Sequence, residues 1–259
     1  MFWNKKILKR KYTWNPDLPD HRDVNYDTTN LTSAAILPSS IDLRKNCPVV
    51  YDQGSLGSCT ANALAGAIQI LETIDKIAPT MMSRLFIYYN ERVIEGTVNQ
   101  DAGAQLRDGI KALASYGVCS ETDWPYNIGK FKTKPTSQSF IDGLAHTITS
   151  YQRLNTLLDM RTCLAAGYPF VFGFTVYQSF ETDIVAKTGI VPMPSKNERA
   201  LGGHAVLAVG YDDKTKMILV RNSWGPNWGL SGYFYLPYDY ISNINLATDF
   251  WTIRRGNKI

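Results

Sequence analysis

The sequence lacks both a long apolar run and an excess of charge of one sign. In its 259 residues, charged side chains make up 19% and the formal net charge is only +4. No stretch approaches the ~18–20 apolar residues that a membrane-spanning helix needs. Apart from the first dozen positions, the basic residues are too scattered to form the basic stripe of a nucleic-acid-binding protein. We therefore expect neither a membrane protein nor a nucleic-acid-binding protein.

Cysteine is also scarce. The four cysteines are Cys47, Cys59, Cys119 and Cys163, too few and too widely spaced for a disulfide scaffold or a paired zinc motif. If one of them is catalytic, at most one disulfide can form among the other three, and the sequence leaves the pairing open. No cysteine and histidine have the spacing of metal ligands, so we predict no metal and no other cofactor.

The N-terminal residues differ from the rest of the chain. Residues 1–11 are basic but precede no apolar core, so they do not resemble a secretory signal peptide. This favours a location inside a cell or a virion over classical secretion, and we expect a monomer. Pro16 and Pro19 exclude a regular helix or a central strand. We interpret residues 1–37 as an extended N-terminal extension that could dock on the rest.

The remaining chain changes its pattern at about its midpoint. Residues 38–140 are predicted to be mainly helical and residues 141–245 mainly strand, with 130–139 as a connector. The predicted helices are Cys59–Leu71, Ser83–Val93 and Ala104–Tyr116, the last ended by Gly117. The predicted strands are Pro169–Tyr177, Ala205–Tyr211, Met217–Asn222 and Gly232–Leu236.

Cys59 opens the first predicted helix. At that position the unpaired N–H groups and the helix dipole favour a thiolate. His204 and Asn222 follow in chain order, and a thiol, an imidazole and a carboxamide are the parts of a cysteine acyl-transfer site. The oxyanion would be stabilised by the N–H of Cys59 and the amide of Gln53. Trp224 could shield the bond between His204 and Asn222 from water.

Each of these residues has a simpler interpretation when taken alone. A cysteine among alanines is more often a small buried apolar residue, and Asn222 alone is commonly a turn residue. The constellation carries the hypothesis, because His204 follows Cys59 by 145 residues and Asn222 follows His204 by 18. The histidine and asparagine of papain-like enzymes lie ~130–150 residues after their cysteine.

On these residues the sequence resembles the papain-like (C1) cysteine peptidases. The matching motifs are Gln53-Gly54 through Cys59, Gly203-His204-Ala205, Asn222-Ser223-Trp224-Gly225-Pro226-Asn227-Trp228-Gly229, Ser231-Gly232-Tyr233-Phe234 and Trp124-Pro125-Tyr126. The resemblance covers about residues 38–255, which we take as the peptidase domain. It implies an α+β fold of two lobes, one helical and one an antiparallel β-barrel-like lobe, with the active-site cleft between them and the chain ends crossing over.

The resemblance also assigns roles. Cys59 would be the nucleophile, His204 the acid and base, Asn222 the orienting amide and Gln53 the oxyanion donor of an endopeptidase acting on polypeptides. The substrate-binding positions that it implies are Gly103, Gly173, Gly203, Ala205, Trp224 and Trp228. Gly103 would pair with an extended substrate, while Gly173 and Ala205 would line a roomy apolar pocket.

Three positions depart from the family pattern. Leu56 replaces a cysteine, Thr60 an aromatic residue and Ala104 a glycine. At these positions the sequence is similar to a bacterial and viral branch of the family, the xylellain-type peptidases. The branch also suggests that residues 12–37 lie in or near the cleft and inhibit it, as a cleft-blocking propeptide. The alternative is a flexible tail or a targeting segment.

Two other functions remain open. An isopeptidase or a transpeptidase would use the same thiol and imidazole, and sequence does not separate them from a peptidase. An inactive binding protein of the same fold would be expected to have lost at least one of Gln53, Cys59, His204 and Asn222, and all four are present.

Overall fold

Helices dominate the first half of the chain and strands the second. The structure, a computed structural model, describes residues 10–27 and 37–256. In these ranges the α-helices are α1 (Cys59–Ile74), α2 (Arg84–Ile94), α3 (Leu106–Tyr116), α4 (Ser137–Gly143), α5 (Leu157–Ala165), α6 (Asp183–Thr188) and α7 (Tyr238–Ile241). The strands are β1 (Ser40–Asp42), β2 (Ser150–Arg153), β3 (Phe170–Tyr177), β4 (Ala200–Asp212), β5 (Met217–Arg221), β6 (Tyr233–Pro237) and β7 (Ala247–Arg254).

The central helix of the first half is α1. Every residue from Cys59 to Glu72 is buried, because α1 packs against strand β4 on one side and against α2 and α3 on the other. A helix that is apolar over most of its surface needs such cover on all sides. This burial places the N-terminus of α1, and with it Cys59, at the junction of the helical part and the sheet.

Local signals fix the ends of α2 and α3. The Ser83 side chain accepts a hydrogen bond from the N–H of Phe86 and caps α2. Gly117 ends α3 with a φ of 63°, a value that glycine adopts without steric cost. The predicted ends of these two helices differ from the observed ends by one or two residues.

The strands form one antiparallel sheet. Its order is β2-β7-β3-β4-β5-β6, and β1 pairs with the end of β4. The predicted α+β class is confirmed. In the described part of the chain the end strands β2 and β6 do not pair with each other, so the sheet is not closed into a barrel.

Strand β4 connects the two parts of the molecule. It pairs with β3 along Ala200–Ala208 and with β1 along Gly210–Asp212. Gly210 permits the second pairing, because a Cβ atom there would lie 2.2 Å from the Ile41 carbonyl oxygen. The chain before α1 is thereby fixed to the sheet, and the loop carrying Gln53 follows directly.

Candidate active site

Cys59 lies at the first turn of α1 and is fully buried. Backbone N–H groups of Ala205, Thr60 and Cys59 itself hydrogen-bond to the thiol and lower its pKa. Burial outweighs them and raises the pKa of Cys59 to about 12. The sequence predicts a stored thiolate, whereas in this structure the sulfur is a neutral thiol.

His204 and Asn222 form a buried pair. His204 lies on β4, Asn222 follows the end of β5, and the distance from His204 Nε2 to Asn222 Oδ1 is 2.9 Å. Burial lowers the pKa of His204 to about 4; the positive charge of Arg10 acts in the same direction, and the Asn222 hydrogen bond opposes them. The imidazole is therefore neutral at pH 7.

The other ring nitrogen of His204 is left unpaired. Among the described residues, Nδ1 of His204 is buried without a hydrogen-bond partner, and so is Nδ2 of Asn222. A buried donor or acceptor without a partner costs free energy, and such groups are typical of sites that await a reacting group. Nδ1 is thus free to exchange a proton.

Aromatic rings enclose the imidazole. Trp224 stacks on His204 with ring centroids 5.1 Å apart and an interplanar angle of 21°. Phe174 meets the His204 ring edge-on at 5.8 Å. Trp228 meets the ring of Trp224 edge-on, so its ring contact here is with Trp224 and not with His204. Phe180 packs against both tryptophans.

Sequence reasoning missed Phe174 and Phe180. Phe174 is one apolar residue among several in β3, and Phe180 lies in a short 3₁₀-helix with no periodic pattern. Neither position carries a signal that separates it from ordinary core. Only the packing of the aromatic rings around His204 shows that these two residues belong to the site.

Gln53 joins the loop before α1 to the segment after β5. Its Nε2 donates to the Leu56 carbonyl at 3.0 Å, and its Oε1 accepts from the Ser223 hydroxyl at 2.6 Å. The backbone N–H of Gln53 also donates to the Ser223 carbonyl at 2.9 Å. Leu56 and Ser223 thus fix the orientation of the Gln53 carboxamide, a role that the sequence did not indicate for either residue.

The N-terminal segment, defined here as residues 10–27, crosses the glycines predicted to bind substrate. The N–H of Trp14 donates to the Gly203 carbonyl at 3.0 Å, and the N–H of Asn15 to the Ala104 carbonyl at 3.1 Å. The Thr13 hydroxyl donates to the Gly57 carbonyl at 2.9 Å. The segment therefore bridges the helical part and the sheet on either side of Cys59.

The indole of Trp14 fills the pocket at Gly173. A Cβ atom at Gly173 would lie 1.9 Å from the indole, and one at Gly203 would lie 2.6 Å from it. At Gly103 a Cβ atom would lie 1.7 Å from the Thr13 carbonyl oxygen. Ala205 is the β4 neighbour of Gly173 across the sheet. Without side chains at these glycines, the segment lies directly on the backbone.

The start of the segment covers the outer face of the aromatic rings. The guanidinium of Arg10 lies 3.9 Å from the centroid of Trp224 and forms an ion pair with Glu181 at 3.3 Å. The ring of Tyr12 meets both His204 and Trp224 edge-on at 6.2 Å. The stacked rings of His204 and Trp224 therefore have little access to water, which explains the lowered pKa of His204.

A family profile described as "Papain family cysteine protease" matches residues 37–252, most of the chain. This protein belongs to the papain family. It is therefore a cysteine protease of the peptidase C1 type, a hydrolase.

Related proteins support this assignment. The papain-family chain is 42% identical to an uncharacterized peptidase C1-like protein of Acanthamoeba polyphaga mimivirus, over 95% of this chain and 88% of the relative. It is 30% identical to pro-cathepsin H of Bos taurus, over 88% and 68% of the two chains. The crystal structure of xylellain, a cysteine protease from Xylella fastidiosa, superposes with a TM-score of 0.88 and 47% identity, covering 96% of this chain and 97% of that one.

This member of the papain family uses its unusual Thr60 in the core. The Thr60 hydroxyl donates to Oε1 of Glu91 at 2.6 Å, and Glu91 lies fully buried on α2. Burial raises the pKa of Glu91 well above its ordinary value. Thr60 and Glu91 thus form a buried polar contact between α1 and α2.

The remaining site predictions concern cysteines, metals and membranes. All four cysteines lie in the described ranges as free thiols. Within residues 10–27 and 37–256, no group of histidine, cysteine and acidic side chains could hold a metal ion. The helices of these ranges are also too short or too polar to cross a bilayer.

Proposed function

We propose that this protease is an endopeptidase that cleaves peptide bonds with Cys59 as the nucleophile and His204 as the proton carrier. The proposal rests on the 2.9 Å hydrogen bond between His204 Nε2 and Asn222 Oδ1, together with the unpaired Nδ1 of His204. Asn222 would hold the imidazole so that Nδ1 points at the thiol. The backbone N–H of Ala205 at the sulfur supports this arrangement, because Ala205 directly follows His204.

The reaction would run in two halves. Nδ1 of His204 takes the proton of the Cys59 thiol, and the thiolate attacks the carbonyl carbon of the substrate. The resulting oxyanion is stabilised by the N–H of Cys59 and by Gln53. The imidazolium then gives its proton to the leaving amine, and a thioester remains on Cys59. Water, deprotonated by His204, hydrolyses the thioester and restores the thiol.

We also propose that residues 1–37 form an N-terminal extension and residues 38–255 the peptidase domain, and that the extension inhibits the enzyme. Three contacts of the segment support this: Trp14 at Gly173 and Gly203, Thr13 at Gly57, and Tyr12 at His204. Gly173 and Gly203 are positions that the family resemblance assigns to substrate, and His204 is the residue that it assigns as the acid and base. A pro-form among the relatives, pro-cathepsin H, is consistent with such a zymogen.

The test is a chain that can be opened after it has folded. A recognition sequence for a site-specific protease is inserted between residues 30 and 31, and hydrolysis of unfolded polypeptide is followed before and after cutting. Turnover should rise after cutting, and Cys59→Ala or His204→Ala should abolish it. Unchanged turnover after cutting and release of the segment would refute the inhibitory role.

A further inference from the structure

The N-terminal segment has a second anchor beyond Trp14, at Asp17. The carboxylate of Asp17 is fully buried. Its Oδ1 accepts the backbone N–H of Arg107 at 3.1 Å, and its Oδ2 accepts the indole N–H of Trp251 at 2.8 Å and Arg153 at 3.3 Å. The backbone N–H of Asp17 donates to Oδ2 of Asp249 at 2.7 Å.

These groups belong to the body of the enzyme and come from three elements. Arg107 is on α3, Arg153 on β2, and Asp249 and Trp251 are on β7. Three donors converge on one carboxyl group, and one acceptor faces the backbone beside it. We call these four residues the aspartyl pocket.

The backbone of Asp249 is strained. Its φ is 59°, a left-handed value that is uncommon for a residue other than glycine. The pairing of β7 with β3 is also irregular between Val171 and Gly173, next to this position. Such backbone conformations cluster at active sites and ligand-binding sites. Here the left-handed conformation brings the Asp249 carboxylate to the N–H of the docked segment.

The cluster holds more negative than positive groups. Arg153 contacts Asp17, Asp23 and Asp249 at 3.0–3.3 Å, and Arg107 contacts Asp23 at 2.6 Å. Three carboxyl groups therefore share two guanidinium groups. With all of them ionised, one negative charge would be buried without a counter-charge, which is costly.

Other charged groups nearby do not supply the missing positive charge. Asp20 pairs with Arg22 on the segment itself at 2.7 Å, and Lys111 pairs with Asp108 at 3.7 Å. Glu95, directly after α2, accepts the N–H of Gln105, and burial raises its pKa to about 7. The remaining means of balancing the charge is a proton.

We propose that the aspartyl pocket is a binding site for an aspartyl side chain on an extended peptide, that Asp17 of the N-terminal segment is its ligand, and that docking takes up one proton. The proposal rests on the docking of the segment but not on the peptidase reaction. It predicts that Asp17 makes docking of the segment tighter in acid than at neutral pH. His204 acts in the opposite direction, because docking of Tyr12 and Arg10 on its ring and on Trp224 keeps its pKa low, so the effect of Asp17 is measured in a chain without His204.

The direction of the pH dependence of docking follows from the pKa of Asp17. Burial, and next the charge of Asp249, raise the pKa of docked Asp17 from 3.8 to about 6. A group whose pKa rises on docking binds more protons in the docked state. The stabilisation is complete below the pKa of the free segment and is lost as the pH rises through about 6. In a chain without His204, the docking equilibrium should weaken about twentyfold between pH 4.5 and 7.5.

The experiment uses the full chain with Cys59→Ala, which removes turnover, and the protease site between residues 30 and 31. His204→Gln is included, because burial lowers the pKa of His204 in the docked state and its protonation would oppose that of Asp17, and His21→Gln removes the exposed histidine of the segment. After cutting, dissociation of the segment is followed through a dye on residue 1 at pH 4.5, 5.5, 6.5 and 7.5. Hydrogen exchange of the amides of residues 14–18 in the uncut chain gives a second measurement that needs no dissociation.

Three variants separate the proposal from a general effect of pH. Asp17→Asn should make docking independent of pH, because asparagine keeps a carbonyl acceptor and binds no proton. Asp249→Asn should also flatten the profile, since asparagine tolerates the left-handed backbone. Asp20→Asn is the matched control on the same segment and should leave the twentyfold change intact.

Two results would overturn the proposal. One is a segment whose dissociation and amide exchange, corrected for the intrinsic effect of pH, are the same at pH 4.5 and 7.5. The other is an Asp17→Asn chain with the same pH profile as its parent. Neither result bears on whether Cys59 hydrolyses peptides, because the chain used here has no nucleophile.

Discussion

Burial sets the protonation state of Cys59 and His204. The thiol has helix N–H groups around it, yet desolvation raises its pKa to about 12, and the same cause lowers the pKa of His204 to about 4. Tyr12 and Arg10 of the N-terminal segment contribute to the burial of His204, since they lie on its ring and on Trp224. The resting pair is therefore a neutral thiol and a neutral imidazole, and opening the cleft should favour the thiolate and imidazolium.

The first prediction concerns this shift. Once the segment is cut and released, the pKa of Cys59 should fall by more than one unit, because water reaches the sulfur while the backbone N–H groups stay in place. The measurement is the pH dependence of the alkylation rate of Cys59 before and after cutting. An alkylation midpoint that does not move would contradict the assignment of burial as the cause.

The second prediction concerns Gly173. In Gly173→Ala the new methyl group would overlap the indole of Trp14, which lies 1.9 Å from the Cβ position. The variant should lose docking of Trp14 and react faster with a thiol-directed inhibitor than the uncut parent chain. Trp14→Ala, which removes the indole and leaves the pocket open, should react at least as fast. A Gly173→Ala chain that reacts at the parent rate would show that Trp14 does not control access.

The third prediction concerns Gln53. Gln53→Ala should lower kcat of the opened enzyme by about 10²–10³-fold, the usual effect of losing one oxyanion donor. Ser223→Ala removes only the hydroxyl that holds Oε1 of Gln53, so it should lower kcat much less. Equal losses in the two variants would indicate a structural role for Gln53 and not a direct one.

Among the elements, α1 does most to position the site. Its buried face packs against β4, and the backbone N–H of Ala205 on that strand lies at the Cys59 sulfur. On its other side, the hydrogen bond from Thr60 to Glu91 connects α1 to α2. The first turn of α1, with Cys59, is thus held by an apolar contact with β4 and a polar contact with α2.

The fourth prediction tests the polar side. Thr60→Val keeps the shape of the side chain but leaves Oε1 of Glu91 without its donor, so the free energy of unfolding should fall by about 1–3 kcal/mol. Thr60→Ser keeps the hydroxyl and should cost less. Denaturant unfolding at pH 7 measures both. Equal stability of Thr60→Val and the parent would show that the buried pair contributes little.

Sequence patterns predicted the elements that carry their own signals. The apolar run predicted α1, Gly117 predicted the end of α3, and runs rich in Val and Phe predicted β3 and β4. Strand β1 was not predicted, because three residues become a strand only by pairing with β4. Strand β7 was missed as well, since it contains Asp249 in a left-handed conformation, and only tertiary pairing explains a strand there.

The candidate site, too, could be predicted from the sequence only in part. The order and spacing of Cys59, His204 and Asn222 are visible in the sequence because the chemistry needs those residue types. Their protonation states are not visible, because they depend on what buries them. The aspartyl pocket was also beyond sequence reasoning, since its residues come from α3, β2 and β7 and share no local motif.

At the scale of the whole molecule, the N-terminal segment links the two halves of the enzyme. Trp14 contacts Gly203 on the sheet while Asn15 contacts Ala104 before α3, and Asp17 is bound by residues from both sides. If an extended substrate binds at these positions, the docked segment would exclude it. We therefore expect release of the segment to control activity.

The most direct test is intact-mass labelling with an epoxysuccinyl thiol-peptidase inhibitor. The chain with the protease site between residues 30 and 31 is treated with the inhibitor before and after cutting, beside its Cys59→Ala counterpart. If Cys59 is the nucleophile and the segment blocks it, one label appears on Cys59, slowly before cutting and fast after it, and none appears in the variant. A cut chain that takes up no label, or takes it up at another residue, would show that Cys59 is not the reactive thiol of a peptidase.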